Sequence, residues 1–257
     1  MRIEKADVKI TDSPKMAADY AKRNIPYIVV LNEKNKAETF PSGAYCVERV
    51  EDIDDAYKNR VYRRFRGLPW DITETNRLRI REITVEDVPR LYELYRDEDI
   101  TKYMEPLFPE MEKEIEYTKA YIENVYQFYG YGMWVIELKK DHEIIGRVGL
   151  EYKEGFDGLE LGFMLGTAYQ HQGYAYEACE AVLQYGMNTL GITEFCAFVN
   201  EDNIASVKLC ERLGFGKVGK VTLPALDFHE KNFVNKIIEK EFVHYVYHAK
   251  SQNLLKK

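Results

Sequence analysis

The stretch AYQHQGYAYEA, residues 168–178, puts groups able to hold an anion at the mouth of a helix. Ala175, Ala178, Cys179, Val182, Leu183 and Gly186 recur at i, i+3, i+4 spacing and mark one apolar helical face. Gly173 therefore sits at the helix entrance. The first N–H groups of a helix have no internal partner and carry the positive end of its dipole. A pyrophosphate can accept from them, and a residue without a side chain lets it come close. The loop holds no lysine or arginine, and that chemistry needs none. A glycine at a helix start also has a plain packing explanation, and the stretch alone does not decide between the two. It lacks the G-x-G-x-x-G spacing of a dinucleotide turn and the GK[ST] of a phosphate-binding loop, which argues against a kinase or a nucleotide-dependent dehydrogenase.

Other reactive residues are sparse. The five histidines show no HxxxH or Cys/His spacing, so no metal site is expected. Cys46, Cys179, Cys196 and Cys210 form no CxxC pair. Three of them lie in apolar segments and read as reduced, structural thiols of a cytoplasmic protein.

These residues need elements to hold them. The chain of 257 residues reads as two parts. Residues 1–70 read as a small α/β domain with a non-catalytic, structural or interaction role. DVKITDS is a strand; Pro14 opens a helix through about Lys22; YIVVLN and AYCVE are strands; residues 50–67 form one helix stopped at Gly67. GLPWDITETNR joins the parts. In residues 71–257, LRIREI alternates as a strand and Thr84 begins a helix with Glu86 and Asp87 in its first turn. A second helix spans about 111–126. GMWVIELKK and EIIGRVGLEYK form a hairpin, DGLELGFMLG is a further strand, and the helix opened at Gly173 runs to about Leu190. ITEFCAFVN is a strand, Asn203 caps a helix ended by Gly214, and KEFVHYVYHAK is the clearest strand of the tail.

Composition narrows the function. Hydrophobic residues make up 46% and charged residues 31%, a globular balance, and no apolar run approaches the roughly 20 residues of a membrane helix. The N-terminus lacks an apolar signal core. A net charge of −7 argues against nucleic acid, and the basic run RVYRRFR reads as a solvated helix face. The 20 tyrosines fit an aromatic-lined cleft or ordinary strand packing equally well.

With these elements in place, Gln170-His171-Gln172-Gly173-Tyr174-Ala175 resembles the Q/R-x-x-G-x-G/A signature of the GCN5-related N-acetyltransferase (GNAT) superfamily. ELGFMLG resembles the family's fourth strand, and VNEDNIASVKLCERLGF resembles the N-x-x-S…G-F helix after its fifth. The order of elements from 78 to about 250 matches throughout, and the RimJ/RimL-type branch is the nearest. The resemblance implies an α/β fold with a mixed, mostly antiparallel central sheet flanked by helices. It also implies an acetyl-CoA-dependent N-acetyltransferase, a cytoplasmic enzyme using acetyl-CoA as co-substrate, without metal, on the primary amine of a small molecule or peptide. Strand–helix–strand with the turn TDSP in the first part weakly resembles a degenerate haloacid-dehalogenase-type half-domain, its second aspartate replaced by Met16.

The family implies roles for particular residues. The N–H groups of Gln172, Gly173, Tyr174 and Ala175, with Gln170 and His171 shaping the loop, hold the pyrophosphate. The pantetheine arm lies along Phe163, Met164 and Leu165 through main-chain bonds, and the Leu165 N–H binds the thioester oxygen. Asn203 and Ser206 match positions that contact the arm. A protonated amine has no lone pair, so a base is required. Glu160, alternating with Leu159 and Leu161, is the first candidate and Asp157 the second; Glu160 paired with an arginine is the structural alternative. Many family members protonate the leaving thiolate with a tyrosine, but Cys210 stands at that position here. Water, Ser206 or Cys210 remain as sources of the proton. A non-catalytic acyl-CoA sensor or scaffold is the competing reading of the whole chain. The amine is unreadable, the loops YMEPLFPE and LPALDFHEKN carrying no signature. The oligomeric state is open, a homodimer included.

Overall fold

A computed structural model describes residues 7–227 and 236–249. The chain divides between Trp70 and Asp71 into two compact units. The first contains β1 (Lys9–Thr11), α1 (Pro14–Lys22), β2 (Tyr27–Val30), β3 (Tyr45–Val47) and α2 (Asp55–Phe65). Its strands lie in the order β1-β2-β3, all parallel. β2 is apolar on both faces, as a central parallel strand must be. Tyr27 and Val29 pack with Ala17 of α1, and Ile28 packs with Ile53 and with Val61 of α2. Ser13 caps α1 and Pro14 opens it.

The single helix expected over 50–67 is broken. Val50–Asp52 form a 3-10 turn, Ile53 drops into the core, and Asp54 restarts the chain by accepting the Tyr57 N–H at 2.6 Å. An aspartate that caps in an extended conformation cannot also sit inside a helix.

The second unit runs β4 (Asp71–Glu74), β5 (Leu78–Glu82), α3 (Val88–Tyr95), α4 (Glu98–Thr101), α5 (Met111–Tyr121), β6 (Gly132–Leu138), β7 (Ile144–Tyr152), β8 (Leu159–Leu165), α6 (Tyr174–Asn188), β9 (Glu194–Val199), α7 (Ile204–Leu213), β10 (Gly216–Asp227) and β11 (Lys236–His248). They build an eight-stranded sheet in the order β10-β11-β9-β8-β7-β6-β5-β4. Every pairing is antiparallel except β8 with β9. The segment expected to be a plain connection contains β4, since Ile72 is buried and Asp71, Thr73 and Glu74 pair with β5.

The two sheet faces are covered by different helices. Gly186 of α6 meets the Phe195 ring and Leu150, and Tyr185 stacks edge-on against Trp134 at 5.6 Å. The opposite face, carrying Met133 and Glu151, is reached by tyrosines at the end of α5. The helix expected over 111–126 changes pitch there, with Ile122–Tyr126 forming a wider, π-type turn. The extra residue brings Tyr121 and Tyr126 to one strand edge, their rings 5.2 Å apart. The Tyr121 hydroxyl accepts the Met133 N–H at 2.8 Å, and the Tyr126 hydroxyl bonds the Met133 carbonyl. The loop LPALDFHEKN runs from β10 into 228–235, outside the described residues.

Candidate active site

β8 and β9 pair only at Leu159–Phe195 and Glu160–Cys196. β8 then continues to Leu165 and β9 to Val199 without further pairing, so a gap opens in the middle of the sheet. On its other side β8 keeps an unbroken antiparallel register with β7, and the Gly166 N–H donates to the Ile145 carbonyl at 2.9 Å. Antiparallel ladders alternate residues that bond across with residues that bond outward. Gly166, Met164 and Gly162 therefore bond toward β7, and Phe163 and Leu165 present their N–H and C=O groups to the gap. Of the three residues expected to line a pantetheine arm, Met164 does not offer its main chain to it. Its side chain is buried. The Leu165 carbonyl already accepts from Gln170 Nε2 at 3.1 Å, which ties the strand end to the following loop.

The loop leads directly from that gap to α6. Thr167–Tyr169 make a 3-10 turn, His171 has φ +58° and Gly173 has φ +80°. A side chain at 173 would face no backbone clash, its nearest neighbour being Arg77 Nη2 at 3.5 Å. The glycine is therefore demanded by its left-handed backbone rather than by tight packing. As N-cap of α6 it supplies no capping side chain, and the first N–H groups of the helix stay available to an anion. Gln172 braces the turn from Nε2 to the Ala168 carbonyl at 2.9 Å. A cation also stands beside this loop. Arg77, in the turn just before β5, donates from Nη1 to the Gln172 carbonyl at 3.1 Å and lies over the Tyr174 ring at 4.3 Å. Sequence reasoning missed it, because the contact spans 95 residues and no local spacing announces it.

The carboxylates gather on the face opposite α6. Glu160 is paired across the strands with Glu151. Burial raises the Glu160 carboxyl above its usual range; Lys153, 3.8 Å away, opposes that shift, and Glu151 and Glu105 add to it. The cation beside Glu160 is thus a lysine, not the arginine considered above. The Tyr121 hydroxyl donates to Glu151 Oε1 at 2.7 Å, and burial raises the Tyr121 phenol far above its ordinary value. Glu151 and Tyr121 carried no motif, and only the β7–β8 register shows that they belong here. Asp157 is exposed in the turn between β7 and β8, at the paired end of β8 away from the gap.

Asn203 Oδ1 accepts the Ser206 N–H at 3.2 Å and caps α7, so its structural role is real. Ser206 is half-buried in the first turn of α7. Cys210 is fully buried, and burial pushes its thiol up to about 12. A thiol that weakly acidic and out of reach of solvent is a poor source of a proton for a thiolate whose parent pKa is about 8.5. Cys179 and Cys196 are likewise buried and unpaired, whereas Cys46 is exposed.

The model of the acetyltransferase (GNAT) domain family matches residues 77–216. The chain belongs to the GNAT acetyltransferase family. An uncharacterized N-acetyltransferase of Bacillus subtilis, YnaD, is 27% identical over 171 residues, 65% of this chain and 97% of that one. Among solved structures, a putative ribosomal-protein-serine acetyltransferase of Vibrio cholerae aligns with TM-score 0.57 at 20% identity, covering 70% of this chain and 98% of its own. RimL, a ribosomal α-N-protein acetyltransferase in complex with coenzyme A, aligns with TM-score 0.54 at 18% identity over 70% and 98% of the two chains. These structural likenesses establish a GNAT fold with its mostly antiparallel sheet. The family match begins at residue 77 and lends the haloacid-dehalogenase likeness of the first unit no support. No helix among the described residues is long and apolar enough to cross a membrane.

Proposed function

We propose that this GNAT protein transfers the acetyl group of acetyl-CoA to a primary amine by direct attack on the thioester. The observation that carries the reading is the continuity of the gap and the loop. Outward-facing main-chain groups of Phe163 and Leu165 run straight into a helix N-terminus with a left-handed glycine cap. Such an edge suits an extended amide-bearing arm, and such a terminus suits its pyrophosphate.

Acetyl-CoA supplies an acyl group on a good leaving thiolate. The Leu165 N–H donates to the thioester oxygen, where negative charge grows as the amine attacks, and the interaction strengthens toward the transition state. Glu160 takes the proton that the amine must lose, directly or through water. Its raised pKa moves it toward working pH, where a base is most effective. Cleavage of the C–S bond releases the thiolate, which takes its proton from water, with Ser206 able to relay that proton but too weak an acid to supply it. Gln170 and Gln172 hold the loop, Asn203 and Ser206 stand beside the arm, and His171 sets the turn through its positive φ. The carboxylates Glu105, Glu151 and Glu160 favour an acceptor that arrives as a cation.

The test is calorimetric. Wild type binds acetyl-CoA, and Gly173→Glu, carrying a strained side chain and a negative charge into the loop, loses at least about tenfold in affinity. Thiol release in the presence of a panel of primary amines then reads the transfer. No binding by the wild type overturns the reading, and binding without thiol release leaves a CoA-binding module.

A further inference from the structure

We propose that Arg77 is the positioning residue of the pyrophosphate loop, cancelling the charge of Glu177 and orienting the Gly173 N–H. This rests on the reading of that loop as the acetyl-CoA pyrophosphate site. Glu177 lies in the first turn of α6, its N–H bonded to the Gly173 carbonyl at 3.1 Å. A carboxylate there favours the helix dipole but repels a bound pyrophosphate. Arg77 answers that charge. Its Nε donates to Glu177 Oε2 at 2.6 Å and its Nη2 reaches the same oxygen at 2.5 Å. Thr75 Oγ1 donates to Oε1 at 2.5 Å, and the Arg77 main-chain N–H to Oε1 at 3.2 Å. The carboxylate is thus clamped by residues of the β4–β5 turn, and its pKa stays below the usual range, with burial opposing and the Thr75 and Arg77 bonds prevailing.

The third guanidinium nitrogen acts on the loop itself. Arg77 Nη1 holds the Gln172 carbonyl. In a planar trans peptide the carbonyl of one residue and the N–H of the next point in opposite directions. Fixing the Gln172 carbonyl toward Arg77 therefore turns the Gly173 N–H away from it, as a donor for an incoming anion. Stacking on Tyr174 holds the guanidinium plane in that pose. The pair is open to an approaching ligand, with side chains 45% and 20% exposed for Arg77 and Glu177.

Charge cancellation and plain scaffolding give opposite signs on one side of the pair. Calorimetric titration of wild type, Arg77→Met, Arg77→Lys, Glu177→Gln and the Arg77→Met/Glu177→Gln double variant with acetyl-CoA and with S-acetyl-pantetheine, which lacks the pyrophosphate, separates them. Arg77→Met weakens acetyl-CoA by about tenfold, the order expected for one uncompensated charge at short range. Glu177→Gln binds it more tightly than wild type, the double variant recovers most of the loss, and Arg77→Lys lies between. S-acetyl-pantetheine binds all variants alike. Thermal unfolding checks that each is folded. If Arg77→Met does not fold, Glu177→Gln decides alone, since it must favour the donor with the pyrophosphate over the one without. Equal weakening by Arg77→Met and Glu177→Gln, with either ligand, overturns the proposal alone. Wild type that binds no acetyl-CoA overturns the donor reading and the proposal with it.

Discussion

As the proposed base, Glu160 must be ionised to accept a proton, and its environment resists ionisation. Burial is the larger cause, and the facing Glu151 and Glu105 reinforce it against Lys153. Activity is therefore lost, as pH falls, at a higher pH than for an ordinary carboxylate. Glu160→Gln lowers kcat by about a hundredfold to ten-thousandfold, the usual contribution of a general base. Glu151→Gln removes one like charge and moves the acid limb of the kcat/KM profile to lower pH. An acid limb that stays in place in Glu151→Gln sinks the assignment. The candidate Glu160 was legible, because alternation with Leu159 and Leu161 already turned it away from the buried face. Its neighbour Glu151 was not. Two residues nine positions apart in a hairpin meet or miss according to the register, and the register depends on how many residues the turn takes up.

At the level of elements, a buried ion network fastens β5, β6 and the start of α3 together. Glu137 accepts from Arg79 Nη1 at 3.2 Å, from Arg81 Nε at 2.8 Å and meets His142 Nδ1 at 2.8 Å, and Arg81 also grips Asp87 at 2.7 and 2.9 Å. Asp87 and Thr84 form the capping box that launches the 3-10 turn before α3. Burial raises the Glu137 carboxyl, but the His142 and Arg81 bonds and both arginine charges prevail and hold it below its usual range. Such a group stabilises the fold above its unfolded pKa and loses that contribution as pH falls through the lower folded value. Glu137→Ala takes one carboxylate partner from Arg79 and Arg81, which keep Asp71 and Asp87, and costs about 1–3 kcal/mol in denaturant unfolding. In Glu137→Gln the loss of stability on acidification below about pH 4.3 becomes shallower. An unchanged acid slope would falsify this account. The sequence announced the strands, through their alternation, and the α3 entry, through Thr84 and Asp87. It did not announce Asp54 as a break within 50–67 or β4 within 71–74. A cap and a helical interior residue look alike until a buried neighbour such as Ile53 is seen to leave the helix axis. A four-residue strand has too few positions for its alternation to stand out from a connection.

For the whole molecule, the division between Trp70 and Asp71 separates one covered parallel sheet from the unit that contains every candidate site residue. The chain lacking residues 1–67 is expected to bind acetyl-CoA within about twofold of the full-length protein, a difference of under about 0.5 kcal/mol. Calorimetry on the truncated chain measures this, and loss of binding in a chain that still gives the far-ultraviolet spectrum of an α/β protein would assign the first unit a part in the site.

The sequence by itself determined what depends on neighbours along the chain. Gly173 at the mouth of α6, the Asn203 cap, the apolar face of α6 and the strand periods are all local, and the resemblance to the GNAT family likewise rested on two short motifs, residues 170–175 and 199–215. Only the tertiary structure decided where β8 and β9 part, which way the main chains of Met164 and Leu165 face, that Glu151 stands beside Glu160, and that Arg77 reaches Gln172 and Glu177 from across the sheet. Each of these turns on strand register or on a contact spanning many residues. The cost of such a contact is chain entropy and its return is packing, and neither is written in any window of sequence short enough to be read as a motif.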